Sequence, residues 1–434
     1  MAPLKVFLII STLLPVLTLA VPVEYEGPGP GPGGGPGGSE VSGEWDEINV
    51  TLGLASQTGP IRIDSSPSGK TLVLGQVNGV LEVIYENEKT SLGSSHDDAG
   101  VTVCNDNLLA VGQAIVSNLV NIYTRNDNNV WSLNQTINGP VSGSEFGRFI
   151  SCHDDTLLVG AIREASNAGR AYVYQNDGFG TPFQLMKTID PPSSAGGFFG
   201  VGVVTDGEIL AIADLLAVDG QINAGSVHIY EGRESNWSAP PNQIQSPTPQ
   251  QNGRFGTDGL DKLGIVDNTI VATEEGLKIP YAFEKNESGH YQPTALNFTG
   301  AASTIISGSG SGTRVLVMDK VALTIQVFEH TAPFTWSLFE DLTRPVIIGG
   351  PGAPAPAENS VGVISETNVY VIIETGEYEN VEYPLFEYQF PNETEYEYEY
   401  EYEYEDEEED DDNSTDRVLL GAAVFIPFIL AFGL

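Results

Sequence analysis

The chain is poor in positive charge. Lysine and arginine total 18 against 59 aspartates and glutamates, which gives a formal net charge of −41. That balance leaves no basic patch, so it argues against a nucleic-acid interface and fits a solvated surface. Histidine is scarce at five. No nucleophile motif or paired-carboxylate signature accompanies one, so the chain reads as non-enzymatic. Only two cysteines occur, too few for a disulfide framework, and stability has to come from a core. Long stretches of helical periodicity are also missing. Glycine (49) and proline (27) are plentiful, and the short alternating segments between them read as all-β.

The stretch that organises the chain runs from Phe146 to Tyr174, FGRFISCHDDTLLVGAIREASNAGRAYVY. Alternating residues (Phe149, Ser151; Leu157, Val159, Ala161; Ala171, Val173) predict three short strands. His153, Asp154 and Asp155 form the turn between the first two, and a longer loop ending at Gly169 precedes the third. The third-strand signature recurs at Tyr85, Tyr123, Tyr174, Tyr230, Phe283, Phe328 and Phe386, in copies 38 to 58 residues apart. The second-strand signature recurs with it as TLVLGQ, LLAVGQ, LLVGA, ILAIAD, TIVATE, VLVMDK and VYVIIE. A fourth strand carries an aromatic at Trp131, Phe183, Trp237, Tyr291 or Trp336. Four short antiparallel strands repeated seven times predict a seven-bladed β-propeller over residues 45–390. GEWDEINVTL at Trp45 matches the fourth-strand pattern, and the last repeat lacks a fourth strand. The N-terminal strand is therefore expected to complete the last blade and leave no open edge.

The opening of the unit repeats as Phe146-Gly147, Phe199-Gly200 and Phe255-Gly256, with weaker forms at Gly100 and Gly362. Gly147 lies 13 residues before Gly160, and Gly200 lies 13 before Ala213. A Phe–Gly pair, then VGA, then a glycine before the aromatic strand resembles FG-GAP repeats, as in the propeller of integrin α subunits. The likeness covers about residues 45–390 and is strongest at 141–192 and 193–247. It implies a propeller that works by binding. Many such repeats carry a calcium loop of spaced aspartates in the first hairpin. The matching turns here are CNDNLL, CHDDTL, TDGEIL and VDNTIV. They lack the triplet and read as turn formers, so no metal residue and no cofactor is assigned.

The two cysteines, Cys104 and Cys152, each stand eight residues before their repeat's glycine. They occupy equivalent positions in neighbouring blades. Secretion and the even count favour a disulfide. Adjacent blades could also hold the pair beyond the ~7 Å Cα limit and leave two thiols. His153, in a polar turn without a second histidine, reads as solvated. The resemblance places the loops after the VGA strand on one face with the inter-blade connections. The ligand is expected there, at Asp214–Ala224 and Arg163–Ala168. Asp214, Leu215, Leu216, Val218 and Asp219 are the candidate ligand residues, since acids beside exposed apolar groups suit recognition. The alternative is that the apolar three pack on the adjacent blade.

Residues 1–20 read as a secretory signal peptide cleaved after Ala20, and residues 21–44 as a Gly/Pro-rich linker. Sequons at Asn49, Asn134, Asn236, Asn286, Asn297, Asn392 and Asn413 fit a glycosylated product. Residues 391–417 form an acidic stalk. It holds 13 acids in the 18 residues from Glu395, so self-repulsion favours an extended spacer over a strand. Tyr396 to Tyr404, each flanked by glutamates, leave tyrosine sulfation and cation attraction open. The apolar run 418–434 reads as a GPI signal with attachment at Asn413, or else as a transmembrane anchor. The expected protein is displayed on the extracellular face of the plasma membrane and binds an extracellular protein or glycan. A structural role in a cell wall or mineralised matrix is the alternative, and an extracellular hydrolase ranks last.

Overall fold

The computed structural model describes residues 45–390, apart from 49, 51, 55–60, 77–78, 95–99, 194–195, 217, 234–235, 238–240, 258–262, 275–278, 301–303, 309–311, 320–323, 343–360, 366–367 and 373–384. The expected signal peptide, linker, stalk and C-terminal run lie outside the described residues, as do Asn49, Asn392 and Asn413.

The described strands pair into seven antiparallel sheets of four. Blades 1 to 6 span residues 61–94, 101–138, 150–189, 202–244, 263–295 and 304–342. In each, strand order from axis to rim is sequence order. Blade 7 takes its three inner strands from residues 361–389 and its outermost from Trp45–Ile48, which pairs with Leu385–Gln389. The innermost strand of every blade packs on those of both neighbours, and Val361–Ile364 of blade 7 meets Ile61–Ser65 of blade 1. The ring therefore closes, and the fold is a seven-bladed β-propeller whose N-terminal strand completes the last blade.

Burial falls from the second strand outward, which explains why some signatures read more clearly than others. Thr156–Ala161 of blade 3 is buried at every residue, whereas Gln184–Ile189 at the rim buries only Ile189. A strand covered on both faces reads as a continuous apolar run; a rim strand reads as a broken alternation.

The Phe–Gly openings have a packing reason. Phe146, Phe199 and Phe255 are fully buried, and the glycines after them have φ of 91°, 94° and 69°. In that conformation Gly147 donates to the Gly160 carbonyl at 3.1 Å and Gly200 to that of Ala213 at 2.9 Å. The same turn presses on the preceding blade. A Cβ on Gly112 would lie 1.7 Å from the Gly147 oxygen, and one on Gly160 would lie 2.3 Å from that of Gly200. Small residues on the second strand and the Phe–Gly turn of the next blade are thus two halves of one seam.

The inner strands expose an edge to the axis, and side chains cover part of it. The Val103 N–H donates to Asp64 Oδ2 (2.8 Å), Cys152 to Thr102 Oγ1 (3.0 Å) and Thr205 to Ser151 Oγ (3.1 Å). Asp64, Thr102 and Ser151 hold equivalent register positions in blades 1 to 3. Each blade thereby satisfies a backbone donor of the next. Burial pushes the Asp64 carboxyl up to about 6, against its bonds from Val103, the Thr102 hydroxyl and Ser65. Its folded value thus exceeds the ordinary 3.8, so its contribution to stability is complete below about pH 4 and is lost as pH rises through 6. Asp64→Asn removes the charge but keeps only one of the two acceptor oxygens that Ser65 and Val103 use. It should fall below wild type at pH 4 and gain on it by roughly 1–3 kcal/mol between pH 4 and pH 8. Melting curves of both proteins across that range test this, and a pH-independent difference would refute it.

Cys104 and Cys152 are joined in a disulfide, with 4.6 Å between Cα atoms. Cys104 sits at a bulge between Val103 and Asn105, and its carbonyl accepts the Asp154 N–H at 2.8 Å. Near the axis the inner strands run side by side, so equivalent positions in adjacent blades come within bonding reach.

Candidate functional site

The loops between second and third strands do share a face with the inter-blade connections. Phe198 and Phe199 donate to the carbonyls of Asn167 and Ala168, and Leu215 donates to that of Gly197 (2.7 Å). On its other side the blade 4 loop accepts from the next connection, Asn252 to Ile222, Arg254 to Asn223 and Phe255 to Ala224. The loop is bonded to both neighbours.

That placement corrects the expected ligand surface. Val218 is buried, Leu215 packs against the core of blades 3 to 5, and Leu216 lies over Gly197, where a Cβ would meet its side chain at 2.7 Å. Val218 is therefore buried, while Leu215 and Leu216 are half-buried, the first against the core and the second against the adjacent connection, and the three do not form a free apolar surface. Asp214 is buried as well; of the five candidates only Asp219 is exposed, in a turn with φ of 51°. Replacing Leu215, Leu216 and Val218 together by serine should cost roughly 3 kcal/mol or more in stability. A triple variant that melts with wild type would show them to be dispensable for packing. In the blade 3 loop, Arg163 pairs with Glu145, which also binds Arg148 at 2.7 Å. Glu164 is buried and accepts the Tyr172 hydroxyl at 2.8 Å.

Asp214 belongs to a trio that the sequence did not bring out. The Ser226 hydroxyl donates to its Oδ1 (2.9 Å), and His228 Nε2 lies 2.8 Å from its Oδ2 and 3.3 Å from Ser226 Oγ. A Ser–His–Asp set suggests nucleophilic catalysis, but here both partners meet one ring nitrogen. The nitrogen that faces the serine already directs its proton at the carboxylate, so it has no lone pair to accept the serine proton. All three side chains are buried. The strand alternation that makes SVHIY a core strand was the available signal.

The opposite face carries the hairpins. Its turn acids bind local or neighbouring groups. Asp106 accepts the Ser68 hydroxyl (2.6 Å), Asp206 accepts two backbone N–H groups of its own turn, and Asp267 lies 2.7 Å from His330 Nδ1. Asp154 and Asp267 have φ of 47°, which fits turn formers. His153 is half-buried, 3.9 Å from Asp154.

A cleft of about 430 Å³ opens on this face between blades 4 and 5. Glu231 ends the third strand of blade 4, and Lys285 ends that of blade 5. The Lys285 ammonium binds Glu231 at 2.6 Å and the Tyr291 hydroxyl donates to it at 2.8 Å. Burial works to raise the Glu231 carboxyl, but these two donors outweigh it and hold it below the usual range. Tyr291 is pushed far above the usual phenol value, first by burial and then by Glu231. Ile209 forms an apolar part of the wall, and Glu208, Arg233 and Asn268 are exposed at the margin. No motif marks this site, because its residues come from the ends of four strands and from a hairpin turn, in two repeats. The clue present in the sequence is the change from IYEGR to AFEKN at equivalent positions.

The four described sequon asparagines lie toward the rim. Asn134 is in the outermost strand of blade 2, Asn236 precedes that of blade 4, and Asn286 and Asn297 flank that of blade 5. Asn134, Asn236 and Asn297 are exposed and Asn286 is half-exposed.

The fold defines the class, a closed seven-bladed propeller. No family model matches the chain, and no curated protein matches it in sequence. Among solved structures, a structural-genomics protein from Lactobacillus plantarum is similar at 13% identity and a TM-score of 0.45, over 68% of this chain and 87% of its own. Identity and TM-score are both too low for that likeness to carry an argument. The blade count rests on the strand pairing.

Proposed function

We propose that this chain is a non-enzymatic cell-surface recognition protein. It passes through the secretory pathway and presents an FG-GAP-like propeller to an extracellular protein or glycan. The observation that supports this reading is the arrangement of the sequons. Four of them stand at or beside the outermost strands of a closed ring, where sugar chains would leave the central parts of both faces open. Removal of the signal peptide and attachment through Asn413 to a GPI anchor, or through a transmembrane run, would complete the display.

The acidic stalk favours a second reading. Thirteen acids in 18 residues would attract cations in a cell wall or mineralised matrix. A ligand array probed with the full chain and with a variant whose acids at 405–412 are changed to serine separates the two. Saturable binding kept by the variant and lost on melting supports recognition by the propeller. Binding that disappears with the acids supports the matrix role.

A further inference from the structure

We propose that the cleft between blades 4 and 5 is a saccharide site. The proposal rests on the extracellular reading above and gives it a place and a ligand class. The charged side chains that line the cleft balance, Glu208 and Glu231 against Arg233 and Lys285, with Asp155 pairing to Arg233 from outside the lining, on a chain whose net charge is −41. A site of matched charge inside an acidic protein suits a neutral ligand. Glu231 is already held by Lys285 and Tyr291 and acts as a fixed part of the wall. At the margin stand a carboxylate, a guanidinium and an amide, on Glu208, Arg233 and Asn268, and Arg233 also reaches Asp155 of blade 3 through one terminal nitrogen at 3.5 Å. Each is planar and can make two parallel hydrogen bonds, which matches the adjacent hydroxyls of a sugar ring. Ile209 and the Tyr291 ring supply apolar surface for the ring's C–H face. The volume lies in the range of small-molecule sites.

The surroundings point the same way. Asn286 directly follows Lys285, and Asn236 stands three residues beyond Arg233. The carbonyl of Asn236 packs so tightly on Gly232, part of the cleft wall, that a Cβ there would lie 2.5 Å from it. Sugar chains at these sequons would stand beside the cleft, obstructing a protein partner and leaving room for a saccharide. The saccharide is supplied either by those chains or from outside.

The test uses the full chain, made in a eukaryotic secretory cell and extracted in mild detergent, before and after enzymatic removal of N-glycans. Saturation-transfer NMR is recorded with N,N′-diacetylchitobiose, cellobiose, maltose and lactose. The expected result is transfer to at least one disaccharide, with affinity reduced about tenfold or more in Arg233→Ala/Asn268→Ala, the scale of one or two lost hydrogen bonds. Glu208→Gln serves as a milder second variant, and melting curves show whether each is folded. Chitobiose binding that emerges only after glycan removal assigns the cleft to the protein's own sugars, whereas binding of any probe before removal assigns it to an external saccharide. No transfer in either form, or transfer undiminished in both folded variants, overturns the proposal. Glycopeptide mass spectrometry on the same sample reads occupancy at Asn236 and Asn286. Empty sequons would count against the secretory reading, while the NMR still decides the cleft.

Discussion

Gly112→Ala is expected to lower the melting temperature of the propeller by roughly 5–10 °C, a loss of about 3 kcal/mol or more. One methyl group does this because its carbon would stand 1.7 Å from the Gly147 carbonyl oxygen and 2.6 Å from the carbonyl carbon. Both are backbone atoms, so no side chain can swing aside. The turn that carries Gly147 would have to retreat, and Phe146 is fully buried beside it. Gly143 is the control. Its φ is 73° and no atom lies within 4 Å of an added Cβ, so alanine there costs only the left-handed conformation, about 1 kcal/mol. Differential scanning calorimetry on both variants separates crowding from backbone strain. Equal melting of the two would show that the seam tolerates a side chain, and the packing account of the Phe–Gly turn would fail.

Removing the disulfide should have an effect of similar size. Cys104 and Cys152 are 48 residues apart, and opening a loop of that length gives the unfolded chain about 4 kcal/mol of conformational freedom in the entropic account. The Cys104→Ala/Cys152→Ala variant should therefore melt well below wild type in non-reducing buffer. Dithiothreitol should bring wild type down to the variant and leave the variant unchanged. A wild type indifferent to reductant would mean that the bond adds nothing to the packing of blades 2 and 3. The variant still has the Asp154–Cys104 and Cys152–Thr102 bonds, so a folded, less stable ring is expected.

Much of the architecture was legible in the sequence, because the propeller writes its core twice per blade. Thr156–Ala161 and Arg170–Gln175 are covered on both sides, and their apolar runs recur at a spacing no helix would give. The closing strand was legible for a related reason: Trp45 resembles the rim strands, and blade 7 was short by one. The site was far less legible. A leucine in a polar loop reads as exposed, yet Leu216 covers a glycine from the preceding connection, a contact that sequence distance hides. Asp214 looked like an available acid because Ser226 and His228 lie 12 and 14 residues further on. The cleft draws on Glu208, Arg233, Asn268 and Lys285, and only the packing of blade 4 on blade 5 brings them together. Local patterns record burial, whereas a site between blades records geometry across repeats.

The strand Trp45–Ile48 also sets a timetable. It is made among the first of the propeller's residues, yet its partner Leu385–Gln389 is among the last. While the ribosome is still adding blades, the early strand has no partner and the growing arc exposes an unpacked blade face at each end. Blades 2 and 3 can pack and pair their cysteines before the chain is complete, since those contacts lie within about a hundred residues of one another. The latch cannot close until residues 385–389 emerge, and loop closure over that span is slow and entropically costly. Folding is therefore gated at its final step, and any truncation upstream of Leu385 leaves an open arc with Trp45–Ile48 unpaired, a species prone to aggregation.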